Sequence, residues 1–595
     1  MVHKAVLGTG LLLLSSLVFL VYTELGTKRP EKLFITTAGT VDMCLSCHQD
    51  VKLDSFHDAQ VIGCAPCHLG DPAAVTAEAA HKGMVVNPGD LRVADKTCSV
   101  AGCHPADIHK VKNSLMATNR GILGTLLYYW GESESQDTDL TVEKLLESDE
   151  NSLALDYFRK LCATCHLWKQ KGDLPGFPEF FSEKGGGCSA CHFTRSDTPE
   201  DSWVLVADDT SFERKEKRPH PRITSKVKSS NCVRCHNRSG RIGISYMGIF
   251  ESEGYGTPYE NGGLTDKQLP GQRFYLDVAN DVHNARGMDC IDCHTRNEIM
   301  GDGTSYAHYE EQLEISCIVC HSDNPGTTRK GNLLNNIEGD DRQRLIVGKV
   351  NGKRHPLKPP KKGVCDFPAH KRVSCEACHS TWVAQCYGCH VKRDPAKKDL
   401  DKLALAETEG LWTEGRSYIR YERPMLGVWG DEVVVVTPGC QDIVTIQDKK
   451  GLEEKSFHRF TMAAINPHTT QAKGRSCTDC HASTKTVGLG EGRLEEVDGE
   501  LVFYPLDQGV ATSVGQTVPF DAYVTINGKA RQHSSRAELR PFNKGELKAI
   551  LRLGLCVGCH NSYEDPIWKD YSQAMQCKRQ QTQDEQKRVT AKKPL

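Results

Sequence analysis

The chain has 595 residues, a formal charge of −3, 38 % apolar residues and 27 cysteines. That length predicts several domains. The near-neutral balance argues against a nucleic-acid partner, and the modest apolar content leaves little side-chain surface for an ordinary large core.

Residues 1–27 open with an apolar run from Ala5 to Tyr22 behind Lys4. Such a run is just long enough to span a bilayer. No small-x-small cleavage site follows it, while Lys28, Arg29 and Lys32 on its far side run against the positive-inside tendency. The segment reads as an export signal or a retained membrane anchor.

From Cys44 onward one pattern recurs, Cys-x-x-Cys-His, eleven times, with a stretched copy bringing the total to twelve. In chain order the motifs are Cys44, Cys47, His48; Cys64, Cys67, His68; the stretched Cys98, Cys103, His104; Cys162, Cys165, His166; Cys188, Cys191, His192; and Cys232, Cys235, His236. The seventh to twelfth are Cys290, Cys293, His294; Cys317, Cys320, His321; Cys375, Cys378, His379; Cys386, Cys389, His390; Cys477, Cys480, His481; and Cys556, Cys559, His560. Two cysteines three apart lie on one side of a helical turn, where their thiols add to the two vinyl groups of one haem. The histidine that follows then reaches the iron. Zinc knuckles, iron–sulfur ligand sets and redox dithiols also use Cys-x-x-Cys, but none needs that histidine. In the stretched copy the inserted residues must bulge out of the turn.

The motifs predict twelve covalently bound haems c. Porphyrin faces would supply the apolar surface that the side chains lack, so the chain without haem should fold poorly. Haem attachment takes place outside the bacterial cytoplasm, so the N-terminal segment must direct export. The expected location is the periplasmic side of the cytoplasmic membrane, anchored or soluble, or else the outer membrane or cell exterior.

The motifs divide the chain into a three-haem region at 28–155, a seven-haem region at 156–400 and a two-haem region at 401–577. A charged tail at 578–595 reads as disordered. Leu123, Leu126 and Leu127, then Leu140, Val142, Leu145 and Leu146, predict helices, with a polar loop at Glu132–Thr138. Asp431–Thr437, Asp442–Gln447, Leu501–Tyr504 and Asp521–Ile526 predict short strands. The expected fold is mainly α, organised by haems, with extensive loops and a few short strands in the C-terminal third. Of the cysteines outside the motifs, Cys365 and Cys440 are the best candidates for a disulfide, leaving Cys577.

Twelve of the 24 histidines belong to motifs. His3 precedes the apolar segment and cannot reach a haem across the membrane. His57, His81, His109, His220, His283, His308, His355, His370, His458, His468 and His533 remain, eleven candidates for the far side of twelve irons. A histidine just before a motif, such as His283, His370 or His468, can serve a different haem. Met116 and Met247 are alternative ligands for an iron left over. A methionine there would raise that haem's potential, and an iron with no sixth ligand would be open to a small substrate.

The twelve motifs across residues 44–560, including the stretched copy and Cys375-Glu-Ala-Cys-His-Ser380 followed by Cys386-Tyr-Gly-Cys-His390, resemble the large multihaem c-type cytochromes of anaerobically respiring, metal- and sulfur-reducing bacteria. The resemblance implies electron transport between a quinol-linked membrane donor and downstream cytochromes or a terminal acceptor. It also leaves open a reductase or oxidase of a small nitrogen or sulfur compound, acting at one haem. No catalytic residue is assigned by either reading.

Overall fold

A computed structural model describes residues 33–568, apart from 50, 52, 101, 172–176, 178–180, 182–183, 195–219, 239–241, 253–266, 270–272, 341–342, 508, 512–516 and 555. The export or anchor segment 1–27, the tail 578–595 and Cys577 lie outside the described residues. Among the described residues no helix is long and apolar enough to cross a membrane.

The fold is not mainly helical. Helix and strand each make up 25 % of it, and a seven-stranded sheet dominates the C-terminal part. Toward the N-terminus, α1 (Pro105–Asn113), α2 (Arg120–Tyr129), α3 (Val142–Glu147) and α4 (Leu153–Tyr157) pack around Leu123, Leu145, Leu155 and Phe158, all at most 2 % exposed. Thr141 and Ser152 cap α3 and α4 by accepting the N–H groups of Lys144 and Leu155. These caps satisfy donors that the helices leave free.

The sheet is built from β1 (Val383–Asp401), β2 (Ala406–Glu422), β3 (Met425–Trp429), β4 (Glu432–Gln447), β5 (Glu453–Ala464), β6 (His533–Ser534) and β7 (Leu539–Arg540). β4 is its spine. Its first part pairs antiparallel with β3, and Asp442–Ile446 pairs parallel with Cys389–Arg393 of β1. β5 lies along its other edge. The run Val433–Val436 shows why this strand is central. Val433 and Val435 face Leu489, Leu547 and Leu551, whereas Val434 and Val436 face Met425, Met462 and Tyr523. With apolar packing on both faces, the run reads as continuous valine without alternation.

The two predicted strands at Asp431–Thr437 and Asp442–Gln447 are thus parts of one strand, with an irregular register between Pro438 and Gln441. The strand expected at Leu501–Tyr504 is present within Glu500–Pro505. Asp521–Ile526 is a turn with a single bridge from Val524 to Ala530. Its apolar residues are there to be buried, Tyr523 completely. The sheet begins at Val383, inside the segment read as the seven-haem region. Cys365 is exposed and forms no disulfide among the described residues, and the side chain of Cys440, its expected partner, lies outside them.

Beyond the sheet, α5 (Lys544–Leu553) buries Leu547 and Leu551 and leads into the last motif. At its start Asn543 and Glu546 form a reciprocal cap. Burial opposes ionisation of Glu546, but hydrogen bonds from Arg540 (2.7 Å), the Asn543 N–H (2.9 Å) and Arg372 (3.1 Å) outweigh it and hold the carboxyl at about 2. Because the folded value lies below the unfolded one of 4.5, Glu546 stabilises the fold above pH 4.5. That contribution disappears as pH falls toward the folded value. Glu546→Gln is expected to flatten this dependence, which denaturant midpoints at about pH 3 and pH 6 would show.

Candidate haem sites

Most motifs form one tight turn. The N–H of His48, His68, His192, His236, His294, His321 and His560 returns to the carbonyl of the first cysteine of its own motif, at 2.8–3.0 Å. The stretched motif closes the same way, His104 N–H to Cys98 O at 3.0 Å, with Gly102 at φ +86° where the insertion bulges. The ninth and eleventh motifs are short helices, Cys375–His379 and Cys477–His481, capped by Ser374 and Ser476. The fourth motif leaves a π-helical turn, Phe158–Cys162, a local widening often found at functional sites.

Six motif histidines face a histidine from outside the motifs. The pairs are His48–His81, His57–His104, His68–His220, His283–His321, His294–His468 and His370–His481, with ring centroids 5.9–6.3 Å apart. Two imidazoles each bonded to one metal at about 2.0 Å, with the centroid roughly 1.1 Å behind the nitrogen, stand about 6 Å apart. The observed separations match that spacing.

Hydrogen bonds orient these rings. Nδ1 lies against a carbonyl in His68 (Val85, 2.7 Å), His220 (Pro221, 2.8 Å), His321 (Lys358, 2.8 Å), His468 (Asn466, 2.9 Å) and His481 (Ile550, 3.0 Å). It lies against a carboxylate in His57 (Asp54), His283 (Asp281) and His294 (Glu298). A proton fixed on Nδ1 leaves Nε2 with its lone pair free to bind iron, the usual outer support of a metal-bound histidine. At these six sites two histidines face each other, and the described residues hold no cluster of three or more His, Cys, Asp or Glu. Haem needs no more, because the porphyrin provides the other four nitrogens.

The expectation that a histidine before a motif serves another haem describes the geometry at all three positions named for it. His283 faces His321, His468 faces His294, and His370 faces His481. Among the described residues no such partner ring faces His166, His192, His236, His379, His390 or His560. His166 is 4 % exposed and neither ring nitrogen has a hydrogen-bond partner. Burial, together with the charges of Lys169 and Arg92, pushes it down to about 3, so the ring is neutral at pH 7. His192, His379 and His560 hold Nδ1 against Thr224 O, Gln471 O and Asp565.

The remaining candidates lie elsewhere. His109 is on α1, beside Gly303. His308 bonds Asp137 through Nε2 at 2.8 Å, which engages the nitrogen a metal would use. His355 has a buried, unpartnered Nε2. His458 lies beside Phe460, and His533 beside Tyr129. Met116 is near the fourth motif, its carbonyl taking the Leu167 N–H. Met247 packs with Val233, Ile244 and Ile249.

The tenth motif does not fit a haem. Cys386, Cys389 and His390 lie within β1, paired residue by residue with β2. Residues three apart on a strand point to opposite faces, so one porphyrin cannot take both thiols. Cys389 instead donates to Glu414, at 3.3 Å. With β1 intact, a tryptic digest should yield the Cys386–His390 peptide without haem. A haem on that peptide would mean that residues 383–391 leave the sheet.

No protein-family model, curated protein or solved structure matches the chain.

Proposed function

We propose that the protein is a multihaem c-type cytochrome, with haem on the eleven motifs outside the sheet. In this reading it carries electrons between a quinol-linked membrane donor and a periplasmic or extracellular acceptor in anaerobic respiration. The observation that carries the reading is the set of six histidine pairs, each placing a motif histidine opposite one from elsewhere with ring centroids 5.9–6.3 Å apart.

When bound, haem supplies an iron that changes oxidation state by one electron. The chain's own residues do the rest. Paired histidines would hold the iron from both sides, exclude water and substrate from it, and favour low potentials. Nδ1 partners hold each ring in place, so little moves when charge changes. Six of the eleven turn motifs have such a partner ring, which supports a carrier over a reductase at those six.

Optical and electron-spin spectra of the oxidised protein should show only low-spin haem, and the reduced protein should not bind carbon monoxide. A high-spin haem that binds carbon monoxide would favour the reductase reading.

A further inference from the structure

The motif turns touch one another, and the pattern of contacts gives a spatial order that differs from the sequence order. A thioether sulfur would sit one carbon, the former vinyl carbon, from the edge of its porphyrin, so neighbouring motif sulfurs mean neighbouring porphyrin edges. The first and second motifs share Asp42, whose carboxylate accepts the N–H groups of Cys44 and Cys64. The second motif's Cys67 neighbours Cys98 and Cys103 of the third. From there the contacts pass over the fourth motif. Cys98 Sγ donates to Pro88 O at 3.6 Å, and Cys188 N–H donates to the next carbonyl, Gly89 O, at 2.8 Å.

The sixth motif meets three others. Asn231, just before it, donates to Cys191 O of the fifth at 2.6 Å. Ser229 ties it to the seventh by donating to Asp289 (2.7 Å) and by accepting the Cys290 N–H (3.2 Å) and the Cys290 thiol (3.4 Å). Its second cysteine, Cys235, accepts the Cys165 thiol of the fourth on its carbonyl oxygen, at 3.9 Å.

Beyond the sixth motif the cysteines alternate. Cys293 neighbours Cys320, Cys317 neighbours Cys375, and Cys378 neighbours Cys480, with Arg475 N–H, just before the eleventh motif, donating to Cys378 O at 2.8 Å. Each turn therefore offers one sulfur to the turn before and one to the turn after. The eleventh meets the twelfth through Cys477 Sγ and Asn561 O at 3.8 Å, and through His481 and Ile550 O.

We propose that the haems form a branched array with three ends. A main line runs through the first, second, third, fifth, sixth, seventh, eighth, ninth, eleventh and twelfth motifs, and a side arm at the sixth carries the fourth. This rests on the haem reading and goes beyond it. A linear array joins one donor to one acceptor, whereas a junction at the sixth motif lets electrons arriving at one end leave by either of two others. The ends lie at the N-terminal motif, at the C-terminal motif, and beside the sheet, where Cys162 packs with Tyr157 and Trp412.

The test is a map of iron positions in the intact holoprotein by cryo-electron microscopy. The sixth iron should have three near neighbours, the fourth, fifth and seventh, and the third iron should lie next to the fifth. A fourth iron lying between the third and the fifth, or a sixth iron with two near neighbours, would overturn the branch. A map with no haem at these turns would instead refute the haem reading on which the branch depends.

Discussion

Replacing His468 by alanine is expected to leave one haem five-coordinate, and that haem is the one at Cys290–Cys293, not the one at Cys477–Cys480 nearer in sequence. His468 and His294 stand 6.2 Å apart. The His468 backbone is at φ +53°, a conformation uncommon for residues other than glycine. It is held there by neighbours. The Asn466 side chain accepts its N–H at 3.1 Å, Asn466 O lies 2.9 Å from Nδ1, and Asp281 fixes Thr470 at 2.7 Å. Such an outlier costs of order 1–3 kcal/mol and persists where the surroundings over-determine it.

The readout is a change from no carbon monoxide binding to one equivalent per chain, with one high-spin signal in the oxidised state. In a Cys290→Ser/Cys293→Ser background, which lacks that haem, His468→Ala should add neither. A high-spin signal persisting in that background would assign His468 to another iron.

Asp156→Ala should be the most damaging single change to stability. Asp156 is 5 % exposed at the join between α4 and the sheet. It pairs with Lys160 (2.9 Å) and accepts from Arg393 Nε (2.8 Å) and the Trp412 indole (2.9 Å). The Lys160 side chain is fully buried. Its further bonds, to the carbonyls of Glu409 and Gly410, supply no negative charge. Removing the carboxylate strands that ammonium, and breaking a buried pair in this way costs about 3–5 kcal/mol. Denaturant unfolding of the purified holoprotein measures the loss. A change within about 0.5 kcal/mol, typical of surface positions, would mean that Lys160 finds another counter-charge.

The sequence showed the sites more clearly than the fold. Each motif is five or seven residues long and most close on their own hydrogen bond, so their chemistry is local. The partner rings were legible as a set, but their assignment depends on tertiary folding that brings His220 to His68 and His468 to His294. The valines of β4 announced a strand because both its faces are covered. β1 and β2 did not, since their outer faces carry Lys392, Lys397, Lys398, Glu407 and Glu409, and charge on an exposed face reads as loop. The expected preponderance of helix came from extending the turn conformation of the motifs to the segments between them. The tenth motif shows the limit of a local pattern, because pairing with β2 sets its backbone conformation.

Intact mass of the purified protein under denaturing conditions tests the central claim most directly, because thioether-linked haem survives unfolding. The account predicts the mass of the polypeptide plus eleven haems. The mass of the polypeptide alone would contradict it.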